Sequence, residues 1–435
     1  MVEQTNKELL EFIGRCPSSF HTVTEISERL RKEGYLPLEE SKEWELQESG
    51  KYFVTRNNSS VIAFRVPAVF RRFMITASHG ESPAFKIKTD PEMPCEGCYI
   101  KLNTEKYGGM IYHSWLDRPL SVAGRVTVLT ETGMETRLVN IDKDLLMIPS
   151  LAIHMDRTVN EGGAMNPQKE LLPLFGDETA KGGFWKLIAE NVGVTHDKIL
   201  GSDLFLYCRT APSVWGNQGE FLSSPRLDDL QCAFATLQGF LKGDAKDSMP
   251  VYCVFDNEEV GSGTKQGAKS TFLFDVLQRI CEARGVSQSG YRQAVASGFL
   301  LSADNGHAVH PNYPEKADPT NRPKLNGGLL LKYNANQKYT TDAVSEGLVR
   351  YLCQKAAVPV QNYVNRSDIP GGSTLGNLLS EKVSINTADI GVAQLAMHSA
   401  YETVGAKDTI YLCKAIEAFY NLELICEEDG SYRLA

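Results

Sequence analysis

Hydrophobic and polar positions change period several times along this chain, and each change marks an element. Val23, Ile26 and Leu30 recur at i, i+3 and i+7, the spacing of one apolar helix face, and Gly34 stands where such a helix would stop. Three runs rich in β-branched and aromatic residues follow, Lys51-Tyr-Phe-Val-Thr, Ser60-Val-Ile-Ala-Phe-Arg-Val and Arg72-Phe-Met-Ile-Thr-Ala-Ser, and these predict strands. From 91 to 222 the texture becomes short strands broken by turns, as in Gly124-Arg-Val-Thr-Val-Leu-Thr and Glu135-Thr-Arg-Leu-Val-Asn-Ile. Beyond 222 a helix is predicted from Leu227 to about Lys242, then apolar strands at Pro250–Phe255 and Gly298–Ala303. A closing helix starts at Asp408, with Leu412, Ile416 and Phe419 on its apolar face. Near-continuous apolar strands beside helices imply an α/β fold whose mixed sheet is covered on both faces. The expected organisation is one α/β domain in two parts, 1–90 and 223–435, interrupted by a β-rich insertion at 91–222.

Composition narrows the function. The 435 residues are 42% hydrophobic and 23% charged, which excludes fibrous and disordered classes. Lys and Arg total 45 against 54 Asp and Glu, a net charge of −9, so the broad basic surface of a nucleic-acid or anionic-membrane binder is not expected. The N-terminal residues carry acid where a secretory signal carries base, and no apolar run is long enough to span a bilayer, so the expected location is cytoplasmic. Most of the ten cysteines lie in apolar runs and read as reduced and buried. Cys95 and Cys98 have metal spacing but no second pair nearby, and read as a surface turn. Gly261-Ser-Gly-Thr-Lys-Gln-Gly lacks the spacing of a phosphate loop and reads as a turn.

The chemistry-bearing residues recur just beyond apolar strands or at a helix start, where α/β sheets bind ligands. His79 and Glu81 follow the strand ending at Ser78; Asp228 and Asp229 open a helix; Glu258 and Glu259 follow Phe255; Asp304 follows Ala303; His398 lies in Gln394-Leu-Ala-Met-His-Ser. Adjacent carboxylates after a buried strand are costly unless something positive neutralises them. If His79 and Asp304 hold one divalent ion, Glu259 and His398 a second, and Asp228 bridges, three carboxylates offset four positive charges. Imidazole and carboxylate ligands favour zinc, with manganese or cobalt also admitted by geometry. Such an ion lowers the pKa of water from about 15.7 to about 7, and Glu258 is placed to take the proton and pass it to a leaving amine.

The ordered segments Ser78-His-Gly-Glu-Ser-Pro, Arg226-Leu-Asp-Asp-Leu, Asp256-Asn-Glu-Glu-Val-Gly-Ser, Ser302-Ala-Asp-Asn-Gly-His-Ala-Val-His-Pro-Asn-Tyr and Gln394-Leu-Ala-Met-His-Ser resemble the motifs of the M18 metallopeptidases, the aspartyl aminopeptidase family. The resemblance runs from Ser18-Ser-Phe-His to the final helix. It implies a metallopeptidase catalytic domain carrying two zinc ions per subunit and an insertion used for dimerisation. The implied activity is removal of N-terminal residues, often Asp or Glu, from peptides. It implies the ligand set above, Glu258 as general base, and a homo-oligomer, a tetrahedral dodecamer. In that assembly His154, in Ser150-Leu-Ala-Ile-His-Met-Asp, would complete a neighbour's active site. By the same resemblance His310 lies near the active site, and Lys332 and Tyr339 bind substrate, with the lysine pairing an acidic side chain at P1, the residue cleaved off.

One position departs from the family, whose first motif reads His-x-Asp where this chain has Glu81. That acid orients the first histidine ligand, and losing such a partner typically costs 10–100-fold in affinity or activity. The extra methylene is expected to be absorbed by adjustment rather than inactivation. Two other readings stay open: a neutral-residue metalloaminopeptidase, and a catalytically weak homologue retained as an assembly or binding protein.

Overall fold

The computed structural model describes residues 1–245 and 247–434. Two helices, Val2–Arg15 and Ser19–Lys32, open the chain, the second burying Val23, Ile26 and Leu30 and followed by Gly34 at φ +83°. After a short strand at Leu36–Leu38, strands lie at Lys51–Arg56, Ser60–Arg65 and Arg72–His79, where the alternating and apolar runs predict them. They join a 13-stranded mixed sheet.

Four of its strands, Ser248–Phe255, Arg72–His79, Phe299–Ala303 and Asn386–Leu395, are adjacent and parallel. All but a few of their residues are buried, because helices cover both faces. On one face Phe12, Ile26, Phe234, Leu237, Ile416 and Phe419 belong to one apolar cluster; on the other Phe272, Leu277, Ile280 and Leu379 belong to a second. The first face uses the predicted helices Leu227–Lys242 and Asp408–Asn421. Parallel neighbours all end on the same edge, so the residues that follow them converge there.

A separate six-stranded antiparallel sheet contains Ala84–Cys95, Tyr99–Tyr107, Leu120–Thr130, Gly133–Asn140, Leu174–Asp177 and Ile199–Cys208. The helix Gly183–Val192 packs on it around Phe184 and Ile188, giving this β-rich insertion its own core. Residue 91 falls inside the strand Ala84–Cys95, while Ser213–Trp215 and Phe221–Ser224 pair within the large sheet. The insertion's sheet is thus bounded by Ala84 and Cys208 rather than by 91 and 222. Cys95 and Cys98 flank a hairpin turn with Glu96 and Gly97 at positive φ, and seven other cysteines are buried and free. Among the described residues no helix is long and apolar enough to cross a membrane.

Candidate metal centre

The edge where the four parallel strands end carries His79, Glu258, Glu259, Asp304 and His398, and Asp228 reaches it from the start of the helix after Phe221–Ser224. His79 is the last residue of its strand; Asp304 directly follows Ala303; His398 follows Leu395 by three residues. After Phe255 the chain turns through Asn257 at φ +64° into a short 3-10 turn, Glu258–Val260, that aims two carboxylates back at the sheet edge. Asp228 and Asp229 have non-helical dihedrals, so the helix proper starts after them. The glycine-rich stretch beyond Glu259 is a turn, with Gly261 at φ +90°.

Three overlapping groups form. His79, Asp228 and Asp304 bring ligand atoms within 4.8 Å of one another, as do Asp228, Glu259 and His398, and His79, Glu258 and Glu259. Asp228 is common to the first two: its Oδ1 lies 3.5 Å from His79 Nε2 and its Oδ2 3.4 Å from His398 Nε2, which is 3.3 Å from Glu259 Oε1. A carboxylate facing two clusters with its two oxygens has the geometry of a bridge.

Electrostatics show what the cluster lacks. Burial alone would depress His79, yet the carboxylates of Asp228 and Glu81 hold its pKa well above the imidazole value. Burial opposes charge on His398 too, but Asp228 and Glu259 drive it up to about 11. Burial raises Glu258 and Asp229 well above the carboxylate range. The cluster therefore favours positive charge among its carboxylates. Asp228 Oδ1, Glu259 Oε1 and Glu81 Oε2 are buried with no hydrogen-bond partner. Orphaned carboxylate oxygens are costly unless a cation takes their lone pairs, and nitrogen and oxygen donors in this number suit zinc.

Around the ligands a supporting shell is visible. His79 Nδ1 lies 3.1 Å from the Glu81 carbonyl and 3.7 Å from Glu81 Oε2. Glu81 Oε1 accepts the Glu259 amide at 3.1 Å and the Tyr107 hydroxyl at 3.5 Å. Its longer side chain thus reaches past the histidine to the Glu259 motif. Glu402, which the sequence analysis did not single out, is 2% exposed and accepts the amides of both Asp228 and His398. It stands four residues past His398, and nothing in its local pattern separates it from a surface acid.

The proposed substrate residues fall differently. Lys332 is 2% exposed; its Nζ donates to the Asn305 carbonyl at 2.7 Å and lies 3.8 Å from Asp304 Oδ1. Its charge is already matched inside the protein. Tyr339 is buried with its ring 5.4 Å from that ammonium. His310 packs on Tyr313 in the wall of a cavity of about 360 Å³ that also includes His307, Tyr363 and Ala396. His154 is exposed on the insertion and belongs to none of the three groups.

The family model described as aminopeptidase I zinc metalloprotease (M18) matches residues 12–420. This chain belongs to the M18 peptidase family. A probable M18 family aminopeptidase 2 of Clostridium novyi is 46% identical over 424 residues, covering 95% of this chain and 98% of that protein. Among solved structures, Ape4 in its complex with Nbr1 superposes with a TM-score of 0.94 at 36% identity, over 97% of this chain and 86% of that one. The mApe1 dodecamer of S. cerevisiae matches with a TM-score of 0.84 at 26% identity, over 95% and 96% of the two chains. The M18 chain described here is a metalloaminopeptidase of a zinc family, with the α/β fold of that family.

Proposed function

We propose that this M18 chain is a two-zinc aminopeptidase that removes an N-terminal residue, preferentially Asp or Glu, from peptides. The observation that carries the reading is the pair of overlapping ligand groups sharing Asp228, whose buried oxygens Asp228 Oδ1 and Glu259 Oε1 face imidazole nitrogens without a hydrogen bond. His79 and Asp304 would hold one ion and Glu259 and His398 the other. Zinc bound there would polarise the scissile carbonyl and acidify a water.

The remaining work falls to the protein. Glu258 would accept the water's proton on its carboxylate and deliver it to the leaving amine nitrogen, a role worth typically about 10²–10⁴-fold. Glu81 would fix the orientation of the His79 ring. A lysine ammonium has three donors; Lys332 gives one to the Asn305 carbonyl and sits 3.8 Å from Asp304, and a remaining N–H would pair with an acidic P1 side chain. Tyr339 and His310 would line the approach. His154, contributed by a neighbouring subunit, would donate to the developing oxyanion.

Assembly into a homododecamer through the insertion, in the cytoplasm, fits this scheme; the mApe1 of S. cerevisiae is a dodecamer. Leu151, Ile153, Met155 and Val159, close to His154 in sequence, are exposed and would supply apolar surface to a neighbour. The pairing of Lys332 with Asp304 favours a second reading, in which P1 is neutral.

Initial rates on short peptides beginning with free Asp, Glu, Leu, Ala or Lys decide between them. An N-acetylated control and a chelator-treated sample with zinc added back complete the experiment. Chelator-sensitive cleavage confined to free amino termini supports the aminopeptidase, and faster cleavage after Asp and Glu supports the acidic pocket. Faster cleavage after Leu or Ala assigns the neutral reading.

A further inference from the structure

We infer that Glu402 is a positioning residue that sets the separation of the bridging ligand Asp228 from the terminal ligand His398 by holding both of their backbone amides on one carboxylate. The inference rests on the metal reading above. Glu402 Oε2 accepts the Asp228 amide at 3.0 Å and Oε1 accepts the His398 amide at 2.8 Å. The two ligands are far apart in sequence and arrive on different elements, one entering the helix that follows the strand Phe221–Ser224, the other in the loop after Asn386–Leu395. Glu402 starts the strand Glu402–Gly405, which lies between those two strands in the sheet and pairs Glu402 with Ser224. Its carboxylate therefore points into the gap that the two ligands must span.

The backbone around it needs such a tie. His398 holds φ +65°, a conformation uncommon for a residue with a Cβ. It is kept from both sides, since Glu402 takes its N–H and the Ile111 amide of the insertion donates to its carbonyl at 3.0 Å. Ser82 Oγ likewise donates to the Asp228 carbonyl at 2.6 Å, so each ligand's backbone is gripped at both ends. Both Glu402 oxygens act as acceptors, which an amide side chain cannot reproduce: glutamine offers one acceptor and turns an NH2 toward the other amide.

The test is a metal titration of Glu402→Gln, Glu402→Asp and wild type, each stripped and reloaded with zinc against a chromophoric chelator. Cobalt-loaded samples read by visible absorption accompany it. Wild type is expected to take two ions. Glu402→Gln is expected to bind the ion held by His398 and Glu259 about 10- to 100-fold more weakly, with an altered cobalt spectrum, and the other ion, which shares only Asp228, weakened less. Glu402→Asp, which keeps both acceptors on a shorter stem, is expected to fall between, and it decides the matter should Glu402→Gln not fold. Two ions bound with wild-type affinities and an unchanged spectrum in the folded variants would overturn the positioning role and leave the metal reading standing. A wild type that binds no zinc would overturn both.

Discussion

Glu258 and Glu259 are consecutive in sequence and both group with His79, but Glu259 also meets His398 and joins the group with Asp228, whereas Glu258 belongs only to the His79 group. If Glu258 carries the proton rather than an ion, Glu258→Gln should retain two zinc ions by elemental analysis and lose about 10²–10⁴-fold in kcat. An unchanged kcat would remove Glu258 from that role. Glu81 invites the opposite experiment. Its Oε1 takes the Glu259 amide, a contact that shortening by one methylene withdraws, so Glu81→Asp is expected to have a kcat/KM no higher than wild type. A variant several-fold faster would show that glutamate impairs this site. Most of the metal-capable residues stood out in the sequence because they follow apolar runs, where an unneutralised acid or imidazole is improbable, and Asp228 and Asp229 because two acids open a helix. Glu402 was not legible, because its partners are backbone amides 174 and four residues away and no side-chain pattern records that. The resemblance implied Lys332 as a substrate-binding residue; its neighbour Asp304, 3.8 Å away, is a pairing that spacing along the chain does not reveal.

At the scale of elements, the strands buried on both sides were the most legible, since Val251–Phe255 and Leu300–Ala303 leave no alternative to a covered sheet. The edge of the insertion was less so. The strand Ala84–Cys95 buries Phe85 and Ile87 in the insertion's core but is polar beyond them, so its apolar signal fades before the turn that begins the recognisable β texture. Helix contacts were invisible in the sequence, and one of them is tight. Gly239, in Leu227–Lys242, faces Ile416 of Asp408–Asn421; a Cβ built there would lie 2.5 Å from Ile416 Cγ2 and 2.8 Å from the Glu417 amide nitrogen. Alanine normally favours a helix over glycine by about 0.5–1 kcal/mol, but overpacking typically costs about 1–3 kcal/mol. The collision should win, because a backbone atom is among those struck. Gly239→Ala is therefore expected to lower Tm by a few degrees in calorimetry while leaving kcat at the distant metal edge near wild type. A raised Tm would mean that the two helices separate at little cost.

At the scale of the molecule, the net charge of −9 disfavours close approach of identical subunits unless local surfaces outweigh it. The segment around His154 is the place to look, since Leu151, Ile153 and Met155 are 57, 50 and 75% exposed within five residues. Single exposed apolar side chains are ordinary, but three within five residues of sequence around one exposed histidine are apolar surface that a neighbouring subunit would cover. The sequence made His154 visible only through the family resemblance, because in the isolated subunit it touches nothing of the site. Two substitutions separate assembly from chemistry. Ile153→Glu places a charge in the apolar patch and should shift the mass measured by light scattering from a large particle toward smaller species, with activity falling in step. His154→Ala removes the imidazole but leaves the patch, so it should keep the wild-type mass while kcat falls about 10²–10³-fold, the usual effect of losing one donor to a developing oxyanion. If His154→Ala keeps full kcat in an intact particle, assembly and catalysis are independent. If Ile153→Glu dissociates the particle without loss of activity, each subunit's site is complete by itself, and the neighbour's contribution is excluded by measurement.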